Sequence, residues 1–363
     1  MHILLFTLSL IAGNPGVTSG SNPIKIMIIS SYNENDPCGR EQIRGIRKKF
    51  RTDFPSESLS VQILYMLGRK TNKTDSARKA VADSFYKEFK KFHPSVVFLT
   101  DDIAIDYMLP KLIRDTSDYI VVFSGMNRDI RKVDGRFHFI KSWIDNNKAI
   151  PSKNVTGVIE KTYIALSIRY AIKFFNISEE KNDNGEIKVA VPDTVLILVG
   201  KDSISQIVKR QIQRELSNFN DIPVRIEEIS TFDELIDTLK ALNEDPHIPF
   251  YYPITLTVDS SDTTLDMKDL AKYYIKYVNK PDISLNASFT SLGLFGGVGL
   301  DFEYMGEMAA QKAIEFLKGT SKIEDIYIEN ASRVEVTLNI KRVESLKITI
   351  PFNKFVNIGK IVK

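Results

Sequence analysis

The chain has 363 residues, with 49 lysines and arginines against 46 aspartates and glutamates, a formal charge of +3. At about 150 residues per domain this length predicts two domains, each able to bury a full core. A composition of 43% hydrophobic and 26% charged residues excludes a polytopic membrane protein and a mostly disordered chain; the small basic excess gives no ground for nucleic-acid binding.

Residues 3–13 (ILLFTLSLIAG) are apolar and lead into a small, turn-forming stretch, NPGVTSGSNP. As a helix the apolar run rises about 17 Å, too little for a hydrocarbon core of roughly 30 Å. We read residues 1–23 as a secretory leader, cut near Thr18 to Ser21, that sends a soluble protein to the periplasm or another extracytoplasmic space. The single cysteine, Cys38, lies beyond this run in polar sequence, so it is no lipid anchor. It also excludes a disulfide framework and any multi-cysteine metal site.

Residues 24–30 (IKIMIIS) are apolar on both faces, as a central parallel strand requires. A helix follows with Ile43, Ile46 and Phe50 on one side, then a strand over 59–66. Next comes a helix with Ala77, Val81, Phe85 and Phe89 sharing a face and Pro94 ending it. A strand over 96–99 runs into a short helix capped by Asp101 or Asp102, with Ile105, Met108 and Leu112 inward. The fourth strand, 119–123, ends in Ser-Gly-Met-Asn. The pattern then breaks from 128 to 152, where the only tryptophan, Trp143, lies. NVTGVIE (154–160) reads as a short crossing strand, followed by a helix through Ile164, Ile168, Ile172 and Phe175 and a polar surface excursion at 178–186.

A second series repeats the alternation. Strands are expected over 194–199, 224–229 and 250–258, with helices over 203–219, from Phe232 to Leu239, and over 266–278. GLFGGVG (293–299) reads as a tight turn between lobes, ahead of a helix over 304–317. Apolar runs at 334–338 and 346–350 close the chain. Two such series predict an α/β fold of two lobes, each a mainly parallel sheet flanked by helices. The absence of any long linker in the sequence implies short crossings that allow a hinge.

Ligands of open parallel sheets sit beyond the carboxyl ends of the strands, where loops and helix N-termini expose unpaired N–H groups. The candidate ligand-binding residues are therefore Ser31, Tyr32, Asp101, Asp102, Ser124, Asn127, Glu160 and Asp259. Each also has a purely structural reading. Tyr32 either covers a ligand or packs on its own lobe. One of Asp101 and Asp102 either meets a ligand ammonium or caps the helix. Asn127 either offers a donor and an acceptor or makes a turn. Glu160 either holds a cation or pairs with a lysine at the hinge. The sequence contains no G-x-S-x-G, H-E-x-x-H, Walker A or G-x-G-x-x-G pattern, and its four histidines stand apart. We therefore expect no catalytic residue, cofactor or metal. The basic run from Arg44 to Arg51 reads as a solvated helix face.

Several local patterns resemble the type I periplasmic-binding-protein-like substrate-binding proteins of ABC transporters, in a branch shared with bacterial sensor domains. They are IMIISSYNENDP (26–37), VFLTDD (97–102) before Ala104, VVFSGMN (121–127), NVTGVIE (154–160), GGVGLDFEYMG (296–306) with Ala309 and Ala310, and the closing segment 338–351. Their order spans nearly the whole chain. Ile103 and Arg128 depart from the family pattern, at Asn positions of two ligand loops. The resemblance implies crossings near 153, 289 and 329, with one lobe formed by 24–153 and 290–328 and the other by 154–289 and 329–363. It implies a monomer that closes on a small organic solute, amino acids among the candidates, and delivers it to an ABC transporter permease. A ligand-sensing module acting through a membrane receptor is the alternative reading, followed by an enzyme on the same scaffold.

Overall fold

The computed structural model describes residues 23–69, 71–114, 118–128, 154–175, 179–181, 187–189, 193–260, 263–350 and 358–363. The leader, the segment around Trp143 and most of the polar excursion lie outside them. In chain order the first elements are β1 (Ile24–Ser30), α1 (Pro37–Asp53), β2 (Leu59–Tyr65), α2 (Asp75–Phe92), β3 (Val96–Thr100), α3 (Asp101–Leu112), β4 (Ile120–Met126) and β5 (Val155–Ile159). The middle of the chain supplies α4 (Ile164–Phe175), β6 (Glu179–Lys181), β7 (Ile187–Val189), β8 (Val195–Gly200), α5 (Ser203–Glu215), β9 (Val224–Ile229) and α6 (Phe232–Glu244). It continues through β10 (Tyr251–Ile254), β11 (Thr257–Asp259), β12 (Thr264–Asp266), α7 (Met267–Tyr277) and β13 (Gly296–Leu300). The chain finishes with α8 (Phe302–Leu317), β14 (Glu329–Asn330), β15 (Val334–Asn339), α9 (Ile340–Ser345) and β16 (Lys360–Val362).

These elements form two compact units: the residues up to Glu160 with Phe302–Ser332, and Lys161–Asp301 with Arg333–Lys363. The first unit holds a six-stranded sheet in the order β14-β5-β4-β3-β1-β2, every pair parallel. Strands β3 and β4 are buried along their whole length, as their unbroken Val, Ile and Phe runs require. Asp36 starts α1 by accepting from the backbone N–H groups of Cys38 and Gly39, with Pro37 in the first turn. Helix α1 crosses α8 with the backbones nearly touching: a Cβ on Gly45 would strike the Glu303 carbonyl, and one on Gly306 the Gln42 carbonyl. Arg44 and Lys48 of the expected basic face reach across this contact to Glu303, and Lys48 also to Glu307.

In the second unit β8 lies between β10 and β9 in a parallel sheet. Strand β13 pairs antiparallel with β15, and β15 runs parallel to β16. A buried ion pair fastens this region. Arg342 donates to Asp282 at 2.7 Å and to the Val278 carbonyl at 2.7 Å, while the other Asp282 oxygen accepts the Phe295 N–H.

Four local expectations are corrected. NVTGVIE is no crossing in the second lobe: Val155–Ile159 pairs in register with β4, and the chain changes unit only after Glu160. The later changes likewise fall after Asp301 and Ser332, and β14 pairs with β5 in the first unit. GLFGGVG is no turn, since Gly296–Leu300 forms β13; its glycines admit positive φ at Gly296 and Gly297 and let the strand lie against the Asn286–Ala287 backbone. The single strand over 250–258 is two, because Thr257–Asp259 turns away to pair antiparallel with Thr264–Asp266. Finally, Thr100 rather than either aspartate occupies the N-cap of α3, leaving Asp101 and Asp102 in its first turn.

Candidate functional site

Strands β1, β3 and β4 end in step. The register aligns Ser30 with Thr100 and Thr100 with Ser124, so three hydroxyl side chains form one row across the sheet. All three residues are fully buried, and none of their hydroxyl oxygens has a hydrogen-bond partner. Beyond Ser124 the pairing of β4 with β5 slips by one residue, and Gly125 takes a φ of 78°. That bulge re-aims the chain so that Asn127 emerges beside the start of α3.

Asn127 is the hub. Its side-chain N–H group donates to Asp102 at 3.1 Å and to Glu160 at 3.1 Å, and its backbone N–H also reaches Asp102. The Asn127 side-chain oxygen and one Asp102 oxygen have no hydrogen bond, and Arg128 approaches that Asp102 oxygen at 3.7 Å. Burial pushes the Asp102 carboxyl above its ordinary range, with Arg128 opposing the shift. Glu160 is pushed up further, by burial first and then by Asp101 and Asp102.

Asp101 sits in the strained left-handed region, at φ 64°, where strand passes directly into helix. Gln42 donates to one of its oxygens at 3.0 Å, and the other has no partner. Burial, reinforced by Asp36, raises its pKa to about 8, so Asp101 holds a proton at neutral pH. Asp106, one turn along α3, is raised by burial to about 7 against the pull of Arg128, which donates to it at 2.7 Å.

The remaining candidates serve the frame. The Ser31 hydroxyl donates to the Thr100 carbonyl and accepts the Ala104 N–H, tying the end of β1 to α3. Tyr32 is buried, and the Arg69 guanidinium lies 3.5 Å from its ring centroid, so one ring face is already covered. Arg69 is held in turn by Asp36 at 2.7 Å. Asp259 belongs to the second unit, exposed on the β11–β12 hairpin, where Thr264 donates to it. Ser31, Tyr32, Asp101, Asp102, Ser124, Asn127 and Glu160 thus lie in one unit, while sequence reasoning did not single out Asp36, Gln42, Arg69 and Asp106. The rule that singled out the other strand ends applied equally to the end of β2, where Arg69 follows Gly68. Among the described residues no group of three or more His, Cys, Asp and Glu side chains is disposed to hold a metal ion. The cluster offers hydrogen-bond acceptors, hydroxyls and exchangeable protons on a rigid scaffold.

No protein-family model and no curated protein matches this sequence. Solved structures do. An ABC domain in complex with L-Trp from Streptococcus pneumoniae aligns over 94% of this chain and all of its own, at TM-score 0.64 and 14% identity. A ligand-free, open substrate-binding protein with adhesive properties from Clostridium difficile aligns over 93% of this chain and 99% of its own, at TM-score 0.60 and 15% identity. A conserved domain protein from Vibrio cholerae covers 94% of this chain and all of its own, at TM-score 0.64 and 13% identity. With its two α/β units of mainly parallel sheet, this chain has the type I periplasmic-binding-protein-like fold of these neighbours.

Proposed function

We propose that this chain is an extracytoplasmic solute-binding protein that presents a small organic solute, amino acids among the candidates, to an ABC transporter permease. The observation that carries this reading is the strand-end cluster of the first unit. Ser30, Thr100 and Ser124 keep buried hydroxyls without partners, beside an Asn127 whose side-chain oxygen also has none. Each such group costs about 1–3 kcal/mol, a cost that a bound solute's own polar groups offset. The likeness to an L-Trp complex and to a substrate-binding protein supports the same reading. Export through the apolar N-terminal run and action as a monomer belong to it. Calorimetric titration with amino acids and small organic solutes tests it: one solute class saturates the protein at one site per chain. A panel without any binder overturns it.

One observation favours chemistry instead. Asp101, Asp102 and Glu160 converge, and all three have raised pKa values. Turnover of a bound solute that disappears in Asp102→Asn would establish an enzyme on this scaffold. Release of the solute unchanged establishes binding alone.

A further inference from the structure

We propose that the group this cluster anchors is a protonated amine, and that the ligand is an organic amine with no carboxylate beside it. The inference rests on the solute-binding reading above and narrows it.

The charges on the page set the sign. Among the described residues around Asn127, the carboxyls of Asp36, Asp101, Asp102, Asp106 and Glu160 face three guanidiniums, those of Arg69, Arg78 and Arg128. All three are already committed, Arg78 to the Gly68 and Asn72 carbonyls. Arg69 pairs with Asp36 at 2.7 Å under the Tyr32 ring, and Arg128 pairs with Asp106 at 2.7 Å and approaches Asp102 at 3.7 Å. The helix N-termini that attract anions are filled by the protein's own acids: Asp36 caps α1, and Asp101 with Asp102 occupies the first turn of α3. Among the described residues of this unit, the guanidiniums of Arg69, Arg78 and Arg128 already hold acids or backbone carbonyls.

What it offers is acceptors. The Asn127 side-chain oxygen is buried, has no partner, and belongs to the amide that touches both Asp102 and Glu160. The Asp102 and Glu160 carboxyls that this amide holds flank it, so the groups gathered around Asn127 suit an ammonium with its three N–H donors. An arriving cation also offsets the burial, and then the neighbouring acids, that hold the Glu160 carboxyl above its ordinary range. Binding therefore expels protons.

The test is titration calorimetry on the mature chain with matched ligands that share a carbon skeleton: 2-phenylethylamine, phenylalanine and 2-phenylethanol, then butylamine, norvaline and butanol, with 1,4-diaminobutane added. The amine of at least one skeleton binds 10-fold or more tighter than its amino acid and its alcohol. Its apparent enthalpy differs between phosphate and Tris buffers, reporting proton release. Glu160→Gln weakens the amine by about 10- to 100-fold, the loss expected for a charged hydrogen bond. Asp102→Asn, checked for folding by circular dichroism, weakens it likewise. Amino acids or alcohols that bind as well as amines overturn this inference and leave the solute-binding reading standing. If nothing in these panels or among the wider solutes binds, both fall.

Discussion

Replacing Asp101 with asparagine removes a costly proton equilibrium of the first unit. In the unfolded chain this carboxyl titrates near 3.8; in the folded protein burial and Asp36 raise it to about 8. The folded state therefore binds the extra proton between those values, and stability falls as pH rises through that window. One pKa unit is worth about 1.4 kcal/mol, so the wild-type chain loses roughly 4 kcal/mol from this group alone between pH 5 and pH 8. Asparagine is free of that slope, still accepts from Gln42, and tolerates the positive φ of this position better than most residues. Asp102, Asp106 and Glu160 titrate in both proteins and largely cancel in the comparison. Urea unfolding followed by circular dichroism at pH 5, 6, 7 and 8 measures the difference. Asp101→Asn gains on wild type progressively with pH and is the more stable by several kcal/mol at pH 8. Parallel stability profiles for the two proteins would refute a buried, proton-holding Asp101.

In the second unit, Arg342→Met leaves the Asp282 carboxyl buried without its ion partner, and thermal unfolding shows a loss of about 3–5 kcal/mol; the double change with Asp282→Leu recovers much of it. Gly157→Ala in β5 drives a methyl group into the Phe123 ring, at a cost of about 1–3 kcal/mol in denaturant unfolding. Cys38 is buried, and burial pushes its thiol well above the ordinary value, so a thiol reagent leaves it unmodified in native protein and labels it fully in urea.

The parallel strands were legible because burial on both faces writes itself as an unbroken apolar run: Ile24–Ser30 falls where the sequence places it, and Val195–Gly200 within one residue of it. Strand β13 was not, since three of its five residues are glycine and leave no alternation to read. Nor was the α1–α8 contact, in which Arg44 meets Glu303 across 259 residues of sequence. Within the first unit, strand ends led to Asp102 and Asn127; Asp259 comes from the second unit, on a strand that is half of an antiparallel hairpin. Gln42 escaped notice for a different reason. Helical periodicity marks the inward face through Ile43 and Ile46, but says nothing of which polar neighbour turns in with them to meet an acid on another element.

Nuclear magnetic resonance of the asparagine side-chain amides tests the central claim most directly, with the Asn127 signal assigned by its loss in Asn127→Ser. As the solute found by calorimetry is titrated in, the account predicts that this signal moves to saturation with the calorimetric affinity. A solute that saturates the protein while the Asn127 amide stays where it was would contradict it.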